Sequence, residues 1–226
     1  MTLGDASGSR PAPMVVEPIT LEGRQVRLEP MSIEHLEALG AAGLGADVFR
    51  WYIDPVDTPA RMRAWVELAV RNQAAGTDLP FTTVERATGR VIGSSRFLNI
   101  DRTHHRLEIG STWITPGLQG AGYNSEAKLL QLDHAFGPLG AIRVEFKTDS
   151  LNERSRGALL GIGARFEGIF RNHMICHDGR YRHSAYYAIT ADEWPDVRRG
   201  LEQRLTRQVA SAPGMLRSPQ RTSTTR

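Results

Sequence analysis

The sequence contains a single cysteine, Cys176, in 226 residues, so no disulfide can form within the chain and the fold must hold by burial alone. It has no apolar run approaching the ~20 residues of a membrane-spanning helix. Residues 1–13 lack the cationic segment and apolar stretch of a secretory signal, and the expectation is a cytoplasmic protein. Net charge of either sign is also scarce. The formal charge is +3 and the sequence pI about 9.3, but Arg217, Arg221 and Arg226 near the end account for all of that excess. With a neutral body, general attraction to a nucleic-acid backbone does not explain the protein, and no direct nucleic-acid partner is expected. Paired metal ligands on two arms are missing too: His173, Cys176, His177 and His183 cluster near one turn, with a lone cysteine among them, so no metal is expected.

What is present fits one ordinary globular unit. Apolar residues make up 40% and charged residues 23% of the chain, and this length supports one sizeable core. We divide the chain into a disordered segment 1–13, a domain 14–207 and a disordered basic tail 208–226 rich in Ser, Thr, Pro and Arg. Within the domain, Ile19 to Glu29 reads as a first strand, and Ser32 starts a short helix from Ile33 to about Ala42. A second helix begins at Thr58-Pro59, a cap followed by proline. Phe81 to Glu85 and Val91 to Ile100 read as a hairpin, and Arg106 to Ile114 as the next strand. Beyond it come a helix, a strand at Ile142 to Lys147, a helix at Asn152 to Ile162, strands Ala164 to His173 and Tyr181 to Ile189, and a closing helix from Asp192 to Arg207. Early strands followed by alternating helix and strand indicate an α/β fold on a mixed sheet.

The segment Gln119-Gly-Ala-Gly-Tyr-Asn-Ser-Glu-Ala127 stands between a strand and a helix. Glycines let the backbone turn tightly and approach a ligand, and the free N–H groups of the following helix attract an anion. A dinucleotide fingerprint would need a third glycine near Ser125 and an acid about 20 residues on, and a triphosphate loop would need Gly-Lys-Ser/Thr. Neither is there. The remaining pattern is Gln/Arg-x-x-Gly-x-Gly/Ala, with Gln119, Gly122 and Asn124 at its fixed positions and Asn124 departing from the usual Gly or Ala.

This loop resembles the coenzyme A pyrophosphate loop of the GNAT N-acetyltransferase superfamily. The stretches Leu107 to Lys128, Asp149 to Ser155 and Leu160 to Phe166 are similar to its RimJ/RimL-like branch. The resemblance implies a mostly antiparallel mixed sheet flanked by helices, a single domain, and acetyl-CoA as co-substrate without a metal. It implies that Trp113, Ile114 and Thr115, on a strand that splays from its neighbour, and Gln119, Gly120, Ala121, Gly122, Tyr123, Asn124 and Asn152 contact the cofactor. It also implies Ser155 as proton donor to the leaving thiolate and a homodimer.

Glu108 is the candidate base. By strand alternation Leu107, Ile109 and Trp113 share one face while Glu108, Gly110 and Thr112 share the other, which sets a carboxylate beside a glycine, facing a cleft. The spacing of eleven residues before Gln119 matches that of a general-base glutamate in several GNAT enzymes. A structural pairing with Arg96 or Arg106 is the other reading of Glu108. Trp51, Tyr52 and Arg96 are candidates for the acceptor pocket, Arg96 as a bidentate partner for a carboxylate. The expected activity is direct acetyl transfer to a primary amine, a protein N-terminus or a small molecule; an acyl-CoA-binding regulator without turnover is the alternative.

Overall fold

The computed structural model describes residues 11–211; the expected disordered ends therefore lie mostly outside the described residues. Eight strands form one sheet in the order β1-β2-β3-β4-β5-β6-β8-β7. They are β1 Leu21–Glu22, β2 Val26–Pro30, β3 Leu79–Glu85, β4 Val91–Asp101, β5 Arg106–Ile114, β6 Arg143–Asp149, β7 Arg165–Ile175 and β8 Tyr181–Thr190. The helices are α1 Leu36–Gly43, α2 Pro59–Ala74, α3 Tyr123–Phe136, α4 Glu153–Gly161 and α5 Trp194–Ser211. Only β5 and β6 pair in parallel; the remaining neighbours are antiparallel. The mixed, mostly antiparallel sheet is thus as expected.

Local chemistry explains most boundaries. The Thr58 hydroxyl accepts the Arg61 N–H and Pro59 opens α2, because a proline at the first helical position gives up no needed hydrogen bond. The Asn152 side chain accepts the Ser155 N–H and caps α4. The expected single strand from Ile19 to Glu29 is instead a hairpin, β1 and β2. A long-range contact turns the chain there: the buried Glu126 carboxylate of α3 accepts the N–H groups of Arg24, Gln25 and Val26 at 2.7–2.8 Å, and a Cβ on Gly23 would come within 2.7 Å of that carboxylate.

The core has two parts. Leu28, Phe81, Phe97, Leu107, Ile109 and Leu132 belong to a large cluster that includes residues of α3, α4 and α5. Met31, Leu39, Phe49, Met62, Val66 and Trp113 form a smaller one with α1 and α2.

The alternation expected along β5 breaks. Gly110 pairs with Arg96 and Trp113 with Ser94, so both Ser111 and Thr112 stand opposite Ser95. Two residues facing one make a β-bulge, which offsets the period-two pattern by one residue. Ser111 takes φ +46 to make the turn, a left-handed conformation that costs a non-glycine residue about 1–2 kcal/mol. As a result Trp113 leaves the face of Leu107 and Ile109 and packs on Phe49, ring centroids 5.3 Å apart. Thr112 correspondingly turns toward α3, where it meets Lys128.

Candidate active site

The pairing of β5 with β6 lasts from Arg106/Arg143 to Glu108/Glu145 only. β5 then follows β4, with Thr115 donating its N–H to Ile92 O, while β6 follows β8. The sheet opens between them, and the β6-facing backbone of residues 109–114 loses its strand partner. A cleft of about 1360 Å³ passes through this opening. One end is walled by the residues after Phe49, which carry Trp51 and Tyr52, and the other by the glycine turn and the start of α3.

At the α3 end, Gly120 has φ +87 and Gly122 φ +96. Gly122 is the N-cap, and a Cβ there would stand 3.0 Å from Gln25 Nε2 and 3.1 Å from Leu205 Cδ1. The first N–H groups of α3 have no acceptor within the helix. Asn124 Oδ1 is buried without a hydrogen-bond partner, and the guanidinium-bearing Arg154 and Arg204 line the same end. Gln119 does not point into open space: its amide donates to Ile114 O at 2.7 Å and its carbonyl accepts from Arg154 Nη2. A turn of backbone N–H groups with two arginines and an unpartnered amide oxygen suits a phosphate-bearing ligand with a polar arm.

Glu108 is buried on β5 at 3% exposure, and neither Arg96 nor Arg106 is its partner. Its Oε2 lies 3.3 Å from Lys147 Nζ and accepts from Asn99 Nδ2 at 2.9 Å. The register explains the lysine: Glu145 stands beside Glu108, and Lys147, two residues on and on the same face, is its diagonal neighbour. Both contacts fall on Oε2. Oε1 lies on the other side, 3.0 Å from where a Cβ on Gly110 would sit, so the glycine makes room for the carboxylate.

The acceptor end is aromatic. Tyr52 packs edge-on to Phe49, centroids 5.1 Å apart, and burial pushes its phenol up to about 12 against the opposing Arg96 charge and Ser111 hydroxyl. Arg96 does not line the cleft. It is buried behind Trp65, its guanidinium 3.9 Å from that ring's centroid, with Nε and Nη2 unpartnered, and burial lowers its pKa to about 10.

Of the other expected residues, Trp113, Ile114, Asn152 and Ser155 line the cleft together with Glu108, whereas Thr115, Ala121 and Tyr123 do not. The Thr115 hydroxyl donates to Ala42 O or Ile92 O, and the Tyr123 hydroxyl donates to Glu85 Oε1 at 2.6 Å. The histidines scatter: His183 Nδ1 accepts the Asn172 N–H, His173 Nδ1 bonds Ser184 Oγ, and only His177 reaches the cleft. Among the described residues no group of three His, Cys, Asp or Glu side chains is placed to hold a metal.

Arg154 and Arg204 escaped the sequence reading, and so did the two lysines of the cleft, Lys128 and Lys147. The lysines' signal was scarcity, since the chain has 26 arginines and only these two lysines.

A sheet split beside a glycine turn, with a carboxylate on the split strand, is an arrangement that suits an acyltransferase. The chain belongs to the GNAT acetyltransferase family: the acetyltransferase (GNAT) domain pattern matches residues 25–165, and the protein is an N-acetyltransferase. A GCN5-related N-acetyltransferase from Brucella melitensis is 32% identical, with a TM-score of 0.79 over 86% of this chain and 89% of that one. The uncharacterized N-acetyltransferase p20 of Bacillus licheniformis is 26% identical over 155 residues, 68% of this chain and 86% of its own. The fold is shared with Mycobacterium smegmatis RimJ, solved with CoA-disulfide, at 23% identity and a TM-score of 0.72 over 82% and 94% of the two chains.

Proposed function

We propose that the cleft binds acetyl-CoA and passes its acetyl group directly to a primary amine, a protein N-terminus or a small molecule. The observation that carries this reading is the meeting, in one cleft, of the α3 glycine turn, the freed edge of β5 and the Glu108 carboxylate. The CoA derivative held by RimJ supports the choice of cofactor.

Backbone N–H groups at Gly120 to Asn124, with Arg154 and Arg204, hold the pyrophosphate, and Asn124 and Asn152 meet the polar arm. Acetyl-CoA supplies the activated acyl carbon. The unpaired N–H groups of β5 near the bulge polarise the carbonyl oxygen. Glu108 Oε1 takes a proton from the incoming ammonium, and the Ser155 hydroxyl protonates the leaving sulfur. Trp51 and Tyr52 flank the acceptor, while Arg96 fixes Trp65 and contributes positive charge behind it. No covalent enzyme intermediate is required: Cys176 is buried and bonded by Arg180 Nη2 at 3.4 Å.

Calorimetric titration with acetyl-CoA, beside ATP and NAD, tests the cofactor; selective one-to-one binding is expected, and mass spectrometry of peptides and small amines then detects the product. Binding of all three, or of none, would sink the reading. We further propose a homodimer joined along β7, an edge strand that exposes Phe166, Phe170 and Ile175. Sedimentation equilibrium should give twice the chain mass, and Phe170→Asp should give a monomer.

A further inference from the structure

The chain's only two lysines both line the cleft, and they differ in partners. Lys147 has the Glu108 carboxylate. Lys128 has none. Its Nζ lies 2.7 Å from Thr112 Oγ1, 3.0 Å from Ser95 Oγ and 3.3 Å from Gln131 Oε1, all neutral groups. Ser95 Oγ is also 2.7 Å from Thr112 Oγ1 and 2.8 Å from Gln131 Oε1, and the Thr112 hydroxyl reaches Gly110 O at 3.2 Å.

The charged groups on the surrounding elements are engaged elsewhere. On α3, Glu126 is held by the β1–β2 turn, Asp133 pairs with Arg198 of α5, and His134 stacks on Phe97. On β4, Arg96 faces Trp65; on β2, Arg27 pairs with Glu29; on β3, Glu85 meets Arg90. On β6, Lys147 pairs with Glu108 of β5 and Asp149 with Arg180; Arg204 of α5 lines the cleft. Burial without a counter-charge holds Lys128 down to about 7, so the free amine is within reach at neutral pH.

The cluster suits either form. As an ammonium, Lys128 donates to Ser95, Thr112 and Gln131 while the Thr112 hydroxyl donates to Gly110 O. As an amine, it accepts the Thr112 proton on its lone pair and keeps two donors for Ser95 and Gln131. Moving one proton therefore requires only that one hydroxyl rotate.

We propose that Lys128 is the proton reservoir of the cleft, taking through the Thr112 hydroxyl a proton that the acceptor nitrogen loses as it is acylated. The inference rests on the transfer reading above and deepens it. An ammonium sheds two protons on becoming an amide, one before attack and one during it. Glu108, on one face of β5, takes the first. As the nitrogen–carbon bond forms and the carbon–sulfur bond breaks, the second passes to Thr112 Oγ1 while the Thr112 proton passes to Lys128 Nζ. Sulfur leaves with its electron pair and is protonated by Ser155, which water reprotonates; Lys128 and Glu108 release their protons to solvent, and one proton is freed per turnover. Lys128 acts through Thr112, so its part is to position and hold a proton.

The test uses the full chain labelled with ¹³C-lysine, whose two Cε resonances are assigned with Lys128→Met. One resonance is expected to titrate near pH 7, and Lys128→Met is expected to lower kcat about 100-fold at neutral pH, leave the KM for acetyl-CoA unchanged and abolish the limb of the kcat profile near pH 7. Thr112→Val should reproduce the loss and Thr112→Ser should restore the rate, which keeps the proposal testable if Lys128→Met folds poorly. A Lys128 resonance that titrates at the ordinary lysine value of 10.5, or a kcat profile unchanged in Lys128→Met and Thr112→Val, overturns the reservoir alone. Wild-type protein that turns over no amine, whatever its lysine titration, overturns the transfer reading beneath it.

Discussion

Glu108 Oε2 and Lys147 Nζ stand 3.3 Å apart at the point where β5 and β6 part. The ion pair closes the base of the opening and leaves the second carboxylate oxygen to the cleft. Holding the negative charge this way fixes the carboxylate's direction.

Replacing Glu108 with Gln keeps the Asn99 and Lys147 side chains near an oxygen but removes the proton acceptor. We expect kcat to fall about 100- to 1000-fold with acetyl-CoA affinity nearly unchanged, measured by steady-state kinetics beside calorimetry. An equal loss of binding would place Glu108 in cofactor binding instead.

Gly110→Ala tests the room left for Oε1. The new Cβ would stand 2.7 Å from Leu98 Cδ1 and 3.0 Å from Glu108 Oε1, so the carboxylate must turn away. Activity should fall at least tenfold, roughly 1.4 kcal/mol in the barrier, with folding retained by circular dichroism.

Gly122→Ala forces a side chain into φ +96 and toward Gln25 and Leu205. Because the turn must distort to accept it, the dissociation constant for acetyl-CoA should rise at least tenfold by calorimetry. Gly117→Ala, where a Cβ meets nothing within 4 Å, should leave it unchanged.

Lys128→Met should stabilise the protein at neutral pH. In the wild type the unfolded chain binds the lysine proton below 10.5 and the folded chain only below about 7, so between these values the unfolded state holds more protons and stability rises with pH. The penalty is therefore fully present below pH 7 and gone above 10.5. Offset by the lost hydrogen bonds, the gain should be about 2 kcal/mol at pH 6 and should shrink as pH rises, read by urea denaturation at several pH values. A pH-independent difference would show that the lysine is charged in the fold.

Much of this was legible along the chain. The cap at Thr58-Pro59, the hairpin whose strands meet between Glu85 and Val91 and the glycine turn at Gly120 to Gly122 are local chemistry, and each appears in place. The β1–β2 hairpin was not legible, because the carboxylate that gathers the amides of Arg24, Gln25 and Val26 comes from Glu126, about a hundred residues away. Arg96 looked like a substrate residue for its charge alone, yet it lies behind Trp65.

By itself the sequence determined the family, the α/β sheet, the glycine turn before α3 and Glu108 beside a glycine, because these rest on residue types and short spacings. Only the tertiary structure decided which way the residues after Gly110 face and who their partners are. One extra residue in β5 opposite Ser95 reverses the alternation, since side chains on a strand change sides at every residue. That offset turns Thr112 to Lys128 and Trp113 to Phe49, and it is where the cleft acquires its buried amine.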